Sequence, residues 1–343
     1  MRARGPRVAG FRAAGVHCGI KADGAPDLAL IASDRPAAVA GLFTRSTVVG
    51  APVALCRDRL RSGRARAIVA NSGCANVAMG ARGRRDAEAM AEAAARALGA
   101  DPAEVLVAST GVIGEPLPMG AVRRGIRAAG EALAGDGLAR AARAIMTTDT
   151  VPKWAEERVE IGGRTLHVAG VAKGAGMIEP DVATMLAFLV TDAAASPAFL
   201  RRCLRAAADA SFNRLTVDGE GSTSDTLLLL ANGAAGGARL VGPRSPGAGR
   251  FAAAVAAVST QLARALARDG EGATKLIDVV VTGARSGADA ERAARRIANS
   301  LLVKTAVFGR DPNWGRILQT IGAGRVALRL DRTAVRLGGV TVF

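Results

Sequence analysis

A chain of 343 residues with only two histidines, His17 and His167, has few ways to build acid–base chemistry around an imidazole. No GxSxG elbow supports a Ser-His-Asp relay. Neither histidine sits in an HExxH pattern, and Cys18, Cys56, Cys74 and Cys203 form no CxxC pair, so no metal site is expected. The glycine-rich segments also miss the phosphate templates. Gly270 to Lys275, GEGATK, lacks the P-loop spacing, and no GxGxxG joins a strand to a helix, which disfavours a nucleotide enzyme. One stretch stands apart: Lys173 to Asp192, KGAGMIEPDVATMLAFLVTD, in which glycines and a proline precede the small pair Ala183-Thr184. Such a loop can hold backbone conformations closed to most residues and expose one carbonyl to a neighbouring hydroxyl. By residue type alone, the same pair is ordinary packing at the head of a buried strand.

The stretch closely resembles the self-cleavage motif of the ornithine acetyltransferases, also called glutamate N-acetyltransferases, in which ATML follows a KGxGM loop. The resemblance extends to GFRAAGVHCGIK from Gly10, DLALIASD from Asp27, NSGCAN from Asn71 and VASTGVIG from Val107. It continues through AIMTTDTVPK from Ala144, SFNRLTVDG from Ser211, DGEGATK from Asp269 and VKTAVFGRDPNWGRI from Val303. Blocks in this order over nearly the whole chain are far more specific than any one motif.

The resemblance implies that the chain cuts itself between Ala183 and Thr184 by an N-to-O acyl shift, and that Thr184 is then the nucleophile. Its new α-amine, titrating at about 7.7 to 8.0, is poised to act as base on its own hydroxyl. This accounts for acyl transfer in a histidine-poor chain. Thr110 and Gly111 match the pair that stabilises the oxyanion through a hydroxyl and a backbone N–H. Lys173 matches a substrate-binding lysine suited to a carboxylate, and Glu271 an acidic residue suited to the ammonium of ornithine. Thr147 matches a further binding position, with Thr148 its alternative by spacing. Asn71 and Asn76 are read as structural. Without the family pattern Ser109-Thr110-Gly111 is a turn, Lys173 a solvated lysine and Glu271 a first-turn charge.

The implied reaction is ping-pong. N-acetylornithine acetylates Thr184, ornithine leaves, and glutamate takes the acetyl group, which recycles it in arginine biosynthesis. Exchanging one amide for a similar one is nearly balanced, so no cofactor is expected, with acetyl-CoA a possible alternative acetyl donor. The partners implied are the two self-derived chains, residues 1–183 (α) and 184–343 (β), assembled as an α2β2 heterotetramer. Cys74 stands where the family commonly has asparagine, and Gly221 interrupts a segment usually closer to DGDTSTND. The resemblance also leads us to expect several dozen further residues after a strand like Arg336 to Phe343, carrying an asparagine and a terminal Ser or Thr for the substrate site. Two other readings stay open: an N-terminal-nucleophile amidase or peptidase in which water replaces glutamate, and an inactive truncated homologue acting as a basic scaffold.

The elements that must position these residues alternate between helix and strand. Arg85 to Leu98 is an Ala-rich helix ending at Gly99, and Asp101-Pro102 with Glu104 offers a cap and a capping box. Val105 to Ala108 reads as a buried strand that delivers Ser109-Thr110-Gly111 to its end. Arg158 to Ile161 and Thr165 to Val171 flank Gly162-Gly163, a hairpin signal. Ser196-Pro197 opens a helix to about Ala210, Thr226 to Leu230 is strand-like, and Arg250 to Arg268 is a helix closed by Gly270. Ile277 to Val281 reads as a strand, Ala288 to Ser300 as a helix, and Val303 to Phe308 as another strand. This is α/β, of α+β kind, with layered sheets covered by helices. The family implies an N-terminal-nucleophile-like αββα sandwich with a smaller α/β lobe.

Composition narrows the rest. Of 46 basic residues only five are lysine, and the formal charge is +16, yet there is no long basic block and no interleaved aromatic residue. Nucleic acid is therefore not an expected partner. The apolar runs are far shorter than the roughly 20 residues a membrane span needs. The basic start, MRARGPRVAG, has no apolar core behind it and makes a poor secretory signal, so the expected location is cytoplasmic, with reduced thiols.

Overall fold

The computed structural model describes residues 5–179 and 185–343; the expected cleavage pair, Ala183 and Thr184, lies outside the described residues. The first half of the chain contains β1 (Phe11–Val16), β2 (Leu28–Phe43), α1 (Ala51–Arg59), β3 (Arg64–Cys74), α2 (Gly80–Leu98), β4 (Val105–Val112), α3 (Met119–Glu131) and α4 (Leu138–Ala144). Then follow β5 (Lys153–Ile161), β6 (Arg164–Lys173), β7 (Leu186–Thr191), α5 (Pro197–Ala210), β8 (Thr226–Ala231) and α6 (Ala248–Arg268). A last group holds α7 (Gly287–Asn299), α8 (Leu301–Phe308), α9 (Trp314–Ala323), β9 (Arg336–Leu337) and β10 (Val340–Thr341).

Eight strands hydrogen-bond in the order β4-β3-β2-β8-β7-β6-β5, with β1 also on β2. The hinge of this sheet is β2. Its first part pairs with β3 from Leu28↔Asn71 to Ala32↔Ala67, its last part pairs with β8 from Ala38↔Ala231 to Phe43↔Thr226, and the β3 register breaks between Ala32 and Ala37. Extra residues on one strand bend it and raise its twist, so the two halves of the sheet turn toward each other. Their facing surfaces share one core, in which Ile31, Ile68 and Leu106 meet Phe188, Val190, Leu228 and Leu230.

The outward-facing residues pack on helices. Leu28, Leu30, Val69 and Val107 bury against Met90 of α2 and Ile126 of α3. Val168, Leu189, Leu227 and Leu229 bury against Leu204 of α5 and Phe251 and Val258 of α6. The layering is helix, sheet, sheet, helix, as expected for an αββα sandwich. It also explains why β8 runs apolar without alternation from Leu227 to Ala231: all six of its residues are buried, because both of its faces are covered.

Local signals worked where they rest on stereochemistry. The β5–β6 hairpin turns at Gly162 and Gly163 with φ of 57° and 72°. Gly99, at φ 60°, ends α2, and Ser196 caps α5 by accepting from Phe199 N. Asp101 caps Ala103 N, although the turn that follows is a single 3-10 turn. Three expectations in the last group fail. Val303 to Phe308 is not a strand but most of α8, capped by Ser300, with Val303 and Ala306 buried at a helical i, i+3 spacing. Ile277 to Val281 has no ladder pairing; Val279 and Val281 pack on the small core of Ala293, Ile297, Val303, Ile321 and Val326. Arg336 to Phe343 is not one strand but a hairpin of two-residue strands about Gly338 and Gly339. Among the described residues, no helix is long and apolar enough to cross a membrane.

Candidate active site

A cavity of about 790 Å³ opens where β4 and β6 end and β7 and β8 begin. Thr110, Gly111, Thr147, Lys173 and Glu271 all line it, as does Met185, which directly follows Thr184 in the chain. Every described residue expected to contact substrate or oxyanion thus lines this one cavity. Thr148 lines it too, but Thr147 is the one whose hydroxyl is engaged by Lys173. Met185 is held at the head of β7 by Thr226 N donating to its carbonyl at 2.9 Å.

The Thr110-Gly111 wall is built by parallel pairing, which sets Ser72 beside Thr110 and Gly73 beside Gly111. Ser109 Oγ donates to Asn71 Oδ1 at 2.6 Å, and Asn71 Nδ2 donates to the Cys74 carbonyl at 2.8 Å, so Asn71 pins the two strand ends together. Gly111 has φ +129°, and a Cβ there would fall 2.3 Å from the Gly73 carbonyl carbon. Only glycine lets the backbone approach so closely. Asn76 serves the next loop, donating to the Gly83 carbonyl at 2.9 Å. Both asparagines bond within the protein, and neither lines the cavity.

Cys74, the residue that departs from the family's asparagine, is buried and bonds through Sγ to the Glu115 carbonyl at 3.2 Å. Burial raises its pKa, and it pushes Cys18 up to about 12 and Cys56 and Cys203 up to about 11. None of the four thiols is a thiolate nucleophile at neutral pH.

Lys173 closes β6, pairs with Leu186 of β7, and donates from Nζ to Thr147 Oγ1 at 2.9 Å. Burial lowers its pKa, with Asp149 and Asp225 acting the other way. Asp225, immediately before β8, lines the same cavity and is 3% exposed. Its carboxyl is pushed well above the usual range by burial, against the opposing effect of Ser222 and Lys173. Sequence reasoning missed this residue. It lies outside the site residues that the family resemblance singled out, immediately before Thr226 and the apolar run Leu227 to Ala231.

The rim formed by Ile20, Lys21, Ala22 and Asp23 is folded around Asp27. This buried carboxylate accepts from the backbone N–H groups of Cys18, Gly19, Ile20 and Lys21 at 2.6 to 3.2 Å. Burial alone would raise its pKa, but these donors bring it below the ordinary value.

Glu271 lies on the facing rim. Its N–H donates to the Ala175 carbonyl at 2.9 Å, and its carboxylate rests on bare Gly176, where a Cβ would come within 2.5 Å of Oε1. Gly176 of the KGAGM loop therefore admits a side chain from another segment. Asp218 holds the rest of that loop, accepting from Met177 N at 2.5 Å and Ile178 N at 2.8 Å.

The cavity thus offers a hydroxyl and backbone at a strand end, a buried ammonium, and a carboxylate across from it. That set suits an amino acid whose acyl group is transferred. Neither histidine takes part: His17 is bonded to the Ala25 carbonyl, and His167 pairs with Asp192 at 3.0 Å.

The ArgJ family model matches residues 12–343. The chain is 53% identical over 345 residues to the arginine biosynthesis bifunctional protein ArgJ of Symbiobacterium thermophilum, covering 98% of this chain and 86% of that protein. It is 51% identical over 325 residues to the ArgJ of Geobacter sulfurreducens, covering 95% and 82%. Among solved structures, it is similar to the ornithine acetyltransferase of Mycobacterium tuberculosis complexed with ornithine, at 43% identity, 53% of this chain, 97% of that one and a TM-score of 0.47. By the extent of the family match and these identities, the chain belongs to the ArgJ family.

Proposed function

We propose that the chain transfers acetyl from N-acetylornithine to glutamate through an acetyl-threonine at Thr184, in arginine biosynthesis, after cutting itself between Ala183 and Thr184. The observation that supports this most is the convergence of Thr110, Gly111, Thr147, Lys173 and Glu271 on the cavity that Met185 also lines. The donor's α-carboxylate binds at Lys173 and Thr147, its side-chain ammonium at Glu271. Thr184 Oγ attacks the acetyl carbonyl and its α-amine takes the proton. The tetrahedral oxyanion is met by the Thr110 hydroxyl and the Gly111 backbone, and its collapse expels ornithine, which leaves with the proton held by the amine. Glutamate then attacks the acetyl ester and regenerates Thr184. The two self-derived chains that meet at Ala183/Thr184 pair as an α2β2 heterotetramer. We propose acetyl-CoA as an alternative acetyl donor to the same threonine.

Intact mass of purified protein tests the first step: two fragments meeting at Ala183/Thr184 are expected, and Thr184→Ala should stay whole. Incubation with N-acetylornithine, with and without glutamate, tests the second. Ornithine and N-acetylglutamate should appear together, and release of free acetate with glutamate present would favour an amidase instead.

A further inference from the structure

Behind the cavity lies a buried ion triple that the reaction chemistry does not itself call for. Lys153 Nζ donates to Asp149 Oδ1 at 2.6 Å and to Asp269 Oδ2 at 2.5 Å, and the three side chains are 1%, 0% and 7% exposed. Asp149 bonds to one wall of the cavity, and Asp269 anchors the segment that carries Glu271 on the other. Asp149 accepts from Thr147 N at 2.9 Å and from Gly174 N, next to Lys173, at 2.6 Å. Asp269 accepts from Thr150 N at 3.0 Å and from Thr150 Oγ1, and it stands two residues before Glu271. A buried lysine between two carboxylates is a costly arrangement that apolar packing could replace, so its use here calls for a reason beyond stability.

We propose that Lys153 is a positioning residue for substrate length: clamped between Asp149 and Asp269, its ammonium fixes the separation of the Lys173–Thr147 wall from the Glu271 wall. The inference rests on the proposed function, in which those walls bind the two charged ends of one amino acid. Loops of different segments would otherwise set that span separately, because Glu271 is exposed and, among the described residues, meets the opposite wall at Ala175 and Gly176. A methylene added to or removed from a well-fitted substrate is worth roughly 10- to 200-fold, so a held span converts directly into selectivity.

The test uses the full chain and three donors: N-acetylornithine and its homologues one methylene shorter and longer, N-acetyl-2,4-diaminobutyrate and N-acetyllysine. For Lys153→Met the preference for N-acetylornithine over either homologue, as a ratio of kcat/KM, should fall about tenfold or more, and Lys153→Arg should restore most of it. Thr150→Val removes one hydrogen bond at an exposed position and keeps the fold. It should shift the ratio the same way by about threefold. A folded Lys153→Met protein with the wild-type ratio overturns the proposal; if that variant does not fold, an unchanged ratio in Thr150→Val does so. If the wild type transfers no acetyl at all, the proposed function falls. The clamp is then read from amide hydrogen exchange of residues 270–276, which should quicken in Asp269→Ala and Thr150→Val, and unchanged protection in both overturns it.

Discussion

Lys173 Nζ donates to Thr147 Oγ1 over 2.9 Å, and this bond joins the end of β6 to the loop between α4 and β5. Both residues are separated by 26 positions in sequence and line the same cavity. Removing the hydroxyl with Thr147→Val leaves a buried ammonium short of one acceptor. A hydrogen bond to a charged group is worth about 1.5–3 kcal/mol. The variant should therefore lose roughly ten- to hundredfold in kcat/KM for the acetyl donor, mostly through KM, with little change in the extent of self-cleavage by mass.

Gly111 carries a prediction about stability. Its φ of +129° and the 2.3 Å approach of a hypothetical Cβ to Gly73 leave no room for a side chain. Gly111→Ala should destabilise the protein by at least about 1–3 kcal/mol through backbone strain, and by more where the β3–β4 ends must separate. Calorimetry checks this, and an unaltered Tm would mean that the Thr110-Gly111 wall is more pliant than its packing implies.

Much of this architecture was legible because it is written locally. The α5 bounds follow from Ser196 as cap and Pro197 in the first turn, and the β5–β6 hairpin follows from two adjacent glycines. The last group was misread where apolar runs are short, since six residues such as Val303 to Phe308 suit a buried strand or a helix equally until partners decide. The turning of β2 from one half-sheet to the other could not be read, because it depends on β3 and β8, which are far apart in the chain. The site divides the same way. Thr110, Gly111, Thr147, Lys173 and Glu271 were recognisable through the family blocks, whereas the chemistry of their residue types alone pointed to turns and solvated charges. Asp225 and Lys153 gave no such signal, because their meaning comes from neighbours 52 positions away at Lys173 and 116 positions away at Asp269.

Asp225 makes stability depend on pH in a defined direction. Burial raises its folded-state pKa well above the usual value, so the native chain holds a proton that the unfolded chain gives up at about 3.9. Between that value and the raised one, stability falls as pH rises, because the native state binds more protons than the unfolded one. Asp149 and Asp269 act in the opposite sense and lower. Burial works against them, yet Lys173 and Lys153 for Asp149, and Lys153 and Thr150 for Asp269, hold both pKa values down, so their contribution is lost as pH falls below about 4. Asp225→Asn removes the proton uptake. Its Tm relative to wild type should climb from pH 4.5 to 7.5, and a difference independent of pH would show that Asp225 ionises like an exposed carboxyl.

Under the proposed function, replacing Thr110 separates transition-state stabilisation from binding. Thr110 is 9% exposed near the end of β4, on a strand whose position is set by the Asn71–Ser109 bond and not by its own hydroxyl. Thr110→Val therefore keeps shape and burial while deleting one donor. The ground-state carbonyl needs that donor little, whereas the tetrahedral oxyanion concentrates charge on one oxygen. Loss of one such donor costs roughly 10²- to 10³-fold in rate. The expected pattern is a fall of that size in kcat with KM for N-acetylornithine nearly constant, since an interaction made only in the transition state does not enter substrate affinity. Self-cleavage passes through a tetrahedral intermediate as well, so the same variant should process more slowly by a comparable factor, followed by intact mass over time. Normal turnover with slowed processing would assign the hydroxyl to maturation alone, and a raised KM with unchanged kcat would make it a binding group and not an oxyanion donor.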